Sequence, residues 1–125
     1  MKRETIGACH CTTCLKWSSG PWFAIFCKDV NITKGQELVK KYHSSEWADR
    51  FFCLECGSNL YFQEINTKDY YVSAFTLDDL DENNTTFDNQ VFIDEKPSFY
   101  SFSNETKTMT KDQVYQFYKN NKIMK

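Results

Sequence analysis

Five of the six cysteines fall into two clusters, Cys9-His10-Cys11-Thr12-Thr13-Cys14 and Cys53-Leu54-Glu55-Cys56-Gly57. Thiols at this spacing suit a soft divalent metal. In an extended segment, residues two apart project from the same face, so Cys9 and Cys11 lean toward one ion while a turn through Thr12-Thr13 returns Cys14 to it. Zinc accepts such a set, with tetrahedral coordination and Zn–S distances of roughly 2.3 Å. The second cluster has the form of a zinc knuckle, a tight turn between two thiols in which Gly57 relieves the backbone just after them. In a reducing cytosol, cysteines paired at two-residue spacing are metal ligands more often than disulfides.

Four-coordination leaves two allocations. One is a closed four-cysteine site that uses both clusters and contributes to folding free energy. The other is an open site of Cys9, Cys11 and Cys14, with Cys53 and Cys56 as a second, incomplete pair. The open site leaves a fourth position in which zinc would lower the pKa of an incoming thiol and present it as a nucleophile. Spacing alone favours the closed site, because Cys-only sets are usually structural.

Other residues of chemical type carry blander expectations. Cys27 ends an apolar strand and reads as a buried, inert thiol. His10 lies among three thiolates, so orientation or exposure is expected rather than ligation. His43 reads as a surface or hydrogen-bonded imidazole. Lys16 and Arg50 stand near the two cysteine clusters and are candidates to bind carboxylates, against the plainer reading of solvated charge. Trp17, Trp22, Phe23 and Phe26 could wall a cleft, although rings on a strand more often fill a core. The acidic run at 78–84 lacks the glycine and distant Glu of a calcium loop and reads as a solvated turn.

The elements that must position these residues follow from composition and pattern. A chain of 125 residues fits a single domain spanning 1–125. Eleven Phe, seven Tyr and three Trp call for a core of large rings in sheets. The net charge of -2 gives no general attraction to nucleic acid or anionic membrane, so neither is expected as a partner. No run approaches 18 apolar residues, and the first eight residues lack the apolar region of a secretory signal, so a soluble, cytoplasmic protein is expected. Strands are predicted at 22–27, 59–63, 70–75, 90–93 and 98–102, with a hairpin of 30–33 and 37–42 about Lys34-Gly35-Gln36. Their spacing predicts antiparallel pairing. One helix is predicted near the end, where Thr110 and Gln113 form a capping box and Val114, Phe117 and Tyr118 repeat at helical spacing.

At the cysteines themselves, the sequence resembles the glutathione-dependent formaldehyde-activating enzyme family, which also includes centromere protein V. The resemblance runs nearly full length. It rests on Ala8-Cys9-His10-Cys11-Thr12-Thr13-Cys14 with Lys16-Trp17-Ser18-Ser19-Gly20, on Tyr42-His43-Ser44-Ser45, and on Phe52-Cys53-Leu54-Glu55-Cys56-Gly57-Ser58-Asn59-Leu60. Weaker blocks follow at Leu77-Asp78-Asp79 and Asp94-Glu95-Lys96-Pro97. It implies a mainly β, zinc-bearing β-tent of short antiparallel strands with one C-terminal helix. It further implies a catalytic zinc on Cys9, Cys11 and Cys14 that receives the glutathione sulfur, which shifts the expectation to the open site. The implied activity is that of a carbon–sulfur lyase, joining glutathione and formaldehyde reversibly as S-hydroxymethylglutathione, with Lys16, Trp17 and Arg50 as candidate contacts for the thiol. The alternative is a non-catalytic module with a closed four-cysteine zinc.

The family typically carries a C-x-C-G strand well before the C-H-C-x-x-C motif, and that pair joins the later C-x-x-C around a structural zinc. Here only eight residues precede Cys9. The resemblance is thus to a short member, in which Cys53 and Cys56 hold no metal, recruit Cys27, or share an ion with the first cluster. Gln90 stands where family members often place a His.

Overall fold

The computed structural model describes residues 4–124. The chain gathers into two compact units, one made of the sequence up to Phe23 and from Asp81 onward, the other of Ala24–Leu80.

The first unit begins with β1 (Glu4–Cys9), whose alternating burial places Ile6 and Ala8 in the core. This is the period-two pattern of a strand with one covered face. A short helix, α1 (Thr12–Ser18), follows, and then β2 (Trp22–Cys27), which starts in this unit and ends in the other. After the second unit the chain returns as β7 (Thr85–Val91), β8 (Lys107–Met109) and α2 (Lys111–Met124). Strand β7 lies between β1 and β8 and is parallel to both, running from Glu4↔Thr85 to Cys9↔Val91 on one side and from Asn89↔Lys107 to Val91↔Met109 on the other. The β1 register shifts between Ile6 and Gly7. A Cβ on Gly7 would meet Asn89 Oδ1 at 2.5 Å, so the missing side chain is what admits Asn89 there.

Parallel pairing departs from the antiparallel expectation for a topological reason. Parallel neighbours need long crossovers; residues 10–84 separate β1 from β7, and residues 92–106 separate β7 from β8. Helix α2 starts as its capping box predicts. The Thr110 N–H donates to Gln113 Oε1 at 2.8 Å and the Gln113 N–H to Thr110 Oγ1 at 3.2 Å. Val114 is buried, but Phe117 is half-exposed and does not share the apolar seam that its spacing suggested.

The second unit is antiparallel throughout. It contains β3 (Val39–His43), β4 (Ala48–Cys53), β5 (Asn59–Glu64), β6 (Tyr70–Ser73) and the end of β2, in the order β3-β4-β5-β6-β2. Its core is aromatic: Phe62 meets Trp47, Tyr71 meets Phe62 and Phe26, and Phe51 stacks on Tyr61 with centroids 4.5 Å apart. Ile25, Ala48, Val72 and Ala74 fill the spaces between these rings. The expected hairpin partner at 30–33 forms no strand. Gly35, at φ +80°, leads into a 3₁₀ turn at Gln36–Leu38, and β3 pairs forward with β4 across the short turn at 44–47. The strand expected at 98–102 is an irregular segment, and 70–75 ends as a strand at Ser73 before a 3₁₀ turn.

Candidate metal centre

Cys9 closes β1, and the ladder continues one step beyond it, with the His10 N–H donating to the Val91 carbonyl at 3.1 Å. The chain then turns at Cys11, whose extended backbone (φ −63°, ψ 155°) makes it the N-cap of α1. Its Sγ takes the place usually held by a Ser or Asp oxygen, accepting from the Cys14 N–H at 3.2 Å, and its carbonyl accepts from the Leu15 N–H at 2.9 Å. A helical first turn, rather than the turn expected through Thr12-Thr13, thus returns Cys14 to the other two. The Thr12 N–H is tied to Glu95 Oε1 at 3.0 Å.

The Sγ atoms of Cys9, Cys11 and Cys14 all lie within 4.8 Å of one another. Tetrahedral zinc with Zn–S bonds of roughly 2.3 Å spaces its sulfurs by about 3.8 Å, so small side-chain adjustments fit the set to the ion. Cys14 is buried, and Cys9 and Cys11 are half-buried. The neighbouring thiols of Cys11 and Cys14, together with burial, hold the Cys9 thiol far above its ordinary pKa. Three sulfurs so crowded cannot all ionise by themselves, whereas a divalent cation among them stabilises the thiolates. The donor chemistry and the spacing both fit a thiophilic metal.

His10 stands behind the loop, fully buried. Its Nε2 lies 2.8 Å from Gln90 Oε1 and its Nδ1 lies 2.8 Å from Tyr100 Oη. The Gln90 amide nitrogen in turn donates to Thr106 Oγ1 at 2.8 Å. Because that amide directs its oxygen at the ring, Nε2 carries the proton and Nδ1 accepts from the Tyr100 hydroxyl. Burial pushes the His10 pKa down, in keeping with a neutral ring. Lys96 closes the surround, lying 5.0 Å over the Tyr100 ring and donating to the Pro97 and Tyr100 carbonyls. Phe23, Phe87 and Phe102 pack edge to face on one another, and the Phe102 ring lies 6.1 Å from that of His10.

Of the other candidates in this unit, Lys16 is exposed on α1, while Trp17 is half-buried with its ring edge-on to buried Trp22 at 5.3 Å. In the second unit Arg50 is only 3% exposed, opposite Phe62 in the β4–β5 ladder, with its guanidinium 5.3 Å from that ring. This is not the solvated surface that a charged side chain suggests. His43 is exposed and pairs with Asp49 at 2.7 Å. Cys27 is half-buried and donates to the Ile25 carbonyl. Cys53 and Cys56 lie at the β4–β5 turn; among the described residues, the group of three metal-ligating side chains is Cys9, Cys11 and Cys14, and neither Cys53 nor Cys56 belongs to it.

The residues that sequence reasoning missed are Tyr100 and Glu95, which meet His10 and Thr12 of the cysteine loop from 90 and 83 positions away, and Thr106, which accepts from Gln90 behind it. The signals present were a His set between ligand cysteines and Gln90 at the end of an aromatic strand.

Comparison with known proteins agrees with this geometry. The sequence profile described as glutathione-dependent formaldehyde-activating enzyme matches residues 1–95. An uncharacterized lyase of Schizosaccharomyces pombe is 42% identical over 115 residues, covering 91% of this chain and 82% of the yeast protein. A Rhodobacter sphaeroides protein of known crystal structure shares the fold at a TM-score of 0.52 and 20% identity, covering 65% of this chain and 79% of its own. With its three-cysteine loop lying wholly inside the matched region, the chain belongs to the glutathione-dependent formaldehyde-activating enzyme family.

Proposed function

We propose that the chain is a zinc-dependent carbon–sulfur lyase that adds a small thiol, glutathione by family membership, to formaldehyde or a similar small aldehyde, and reverses that addition. The observation that supports this reading is the convergence of three sulfurs on one point. Three protein ligands plus an exchangeable position is the pattern of catalytic zinc, while closed four-ligand sets are structural. Zinc held by Cys9, Cys11 and Cys14 would supply a Lewis acid that lowers the pKa of a thiol at its remaining position.

The chain's own residues hold and orient. The Cys14 N–H directed at Cys11 Sγ steadies negative charge on that sulfur. His10, locked by Gln90 and Tyr100, fixes the backbone between Cys9 and Cys11. Lys16 and Trp17, on the same helix as Cys14, are assigned to the thiol's carboxylates and carbon framework. Arg50, the further candidate for a carboxylate, is buried against Phe62 in the second unit. In the forward direction the thiol sulfur forms a bond to the carbonyl carbon and the carbonyl oxygen takes up a proton; in reverse that C–S bond breaks. A cytoplasmic location, where thiols are kept reduced, is part of the same proposal.

The test is exchange of glutathione with formaldehyde followed by NMR line broadening. Wild type should speed interconversion with S-hydroxymethylglutathione above the uncatalysed rate, and Cys14→Ser should abolish the gain. A wild-type protein with one bound zinc and no acceleration would leave only the non-catalytic reading.

A further inference from the structure

The short helix that carries Cys14 depends on outside support for its first turn. Helix α1 has only seven residues, too few to be stable in isolation. The spacing of two of the three sulfurs nevertheless rests on that turn, since Cys11 is the N-cap and Cys14 lies three residues on. The Thr12 N–H is one of the backbone donors that an α-helix leaves without an intrahelical acceptor. Glu95 Oε1 accepts from it at 3.0 Å, across 83 positions of sequence.

Glu95 is itself held in place. It ends the 3₁₀ turn Ile93–Glu95 that follows β7, and its N–H donates to the carbonyl of buried Phe92 at 3.0 Å. The two carboxylates of this turn reach opposite ways. Asp94 Oδ1 accepts from the Lys111 N–H at 2.9 Å, at the start of α2, while Glu95 Oε1 serves the start of α1. The Lys111 ammonium lies 3.9 Å from Glu95 Oε2 and 5.9 Å over the Tyr115 ring, and Tyr115 sets its own ring edge-on to Phe92 at 6.0 Å. That ion pair is long and partly exposed, so it adds little by itself. The strong link is the bond from the Thr12 N–H to a carboxylate oxygen.

We propose that Glu95 is a positioning residue for the metal: by fixing the Thr12 N–H it keeps the first turn of α1 formed, holds Cys11 and Cys14 at one ion, and makes the 93–95 turn and α2 part of the frame that retains the metal. The proposal rests on the reading that Cys9, Cys11 and Cys14 bind zinc. Glu95 acts through the backbone of Thr12 and not on the ion itself. Loss of this acceptor leaves all three sulfurs in the chain but frees the turn that spaces two of them. Release of the ion then quickens, since it begins with one sulfur parting from the others.

The experiment mixes the zinc-loaded full chain with an excess of the chelator pyridylazoresorcinol and follows zinc release by absorbance. Glu95→Ala should release zinc roughly tenfold faster than wild type, the scale of a lost hydrogen bond to a charged group. Glu95→Gln keeps an amide oxygen for the Thr12 N–H and should stay within about threefold of wild type. Thr12→Pro removes the donor instead; proline suits the first helical position, and the extended backbone of Cys11 is compatible with a proline after it. This variant should match Glu95→Ala, and the double variant should release no faster than either single one, because both delete the same bond. The cobalt-loaded forms give a second readout: the d–d bands of Glu95→Ala and Thr12→Pro should differ from wild type, and those of Glu95→Gln should not. Wild-type release and spectra in Glu95→Ala, even with a lower urea midpoint, would overturn the proposal, as would additive effects in the double variant. If Glu95→Ala does not fold, Thr12→Pro against wild type decides alone. A wild-type chain that takes up no zinc would instead overturn the metal reading beneath it.

Discussion

Cys14 concentrates three roles in one buried residue: its sulfur completes the trio, its N–H steadies Cys11, and its place in the first turn of α1 brings it back toward Cys9. Replacing Cys9, Cys11 or Cys14 with Ser is expected to drop zinc content from one per chain toward none, read by atomic absorption after gel filtration. Gln90→Leu should retain the cysteines but strip the partner from His10 Nε2 and from Thr106, costing about 1–3 kcal/mol in denaturant unfolding, since a buried donor is left without an acceptor. An unchanged midpoint would mean that the network adds nothing to the loop. At this scale the sequence was informative where chemistry is local. The three ligand positions followed from spacing, because a few intervening residues decide where each sulfur can go. The contact of His10 with Tyr100 did not follow, since nothing near Tyr100 encodes a contact across that much chain.

The elements divide between those with strong patterns and those set by tertiary partners. Strands β2 and β5 were legible from unbroken runs of aromatic and branched residues, and α2 from its capping box. Thr110→Ala should therefore cost about 0.5–2 kcal/mol, a loss visible as a lower thermal midpoint. Strand β4 was hidden by Asp49 and Arg50, whose charges interrupt the apolar pattern even though Arg50 is buried against Phe62. Helix α1 is too short for periodicity to declare, and its N-cap is a cysteine that reads first as a ligand. Strand β8 has only three residues and exists through its pairing with β7. Local propensity cannot announce an element whose stability comes from its neighbour.

At the scale of the molecule, the abundance of aromatic residues foretold sheet with ring packing, and the second unit has that core. Phe62→Ala should cost about 3–5 kcal/mol, because that ring is 6% exposed and packs against both Trp47 and Tyr71; urea unfolding measures it. The parallel arrangement of β1, β7 and β8 was not legible, since pairing between strands so far apart in sequence depends on how the intervening chain folds. Among the described residues no helix is long and apolar enough to cross a membrane. The central claim is an open zinc site on three cysteines, and cobalt in place of zinc reports it most directly. Glutathione added to the cobalt protein is predicted to shift the visible d–d bands and add sulfur-to-metal charge-transfer intensity, with the same response in Cys53→Ser. A four-thiolate spectrum indifferent to glutathione, and lost in Cys53→Ser, would contradict it.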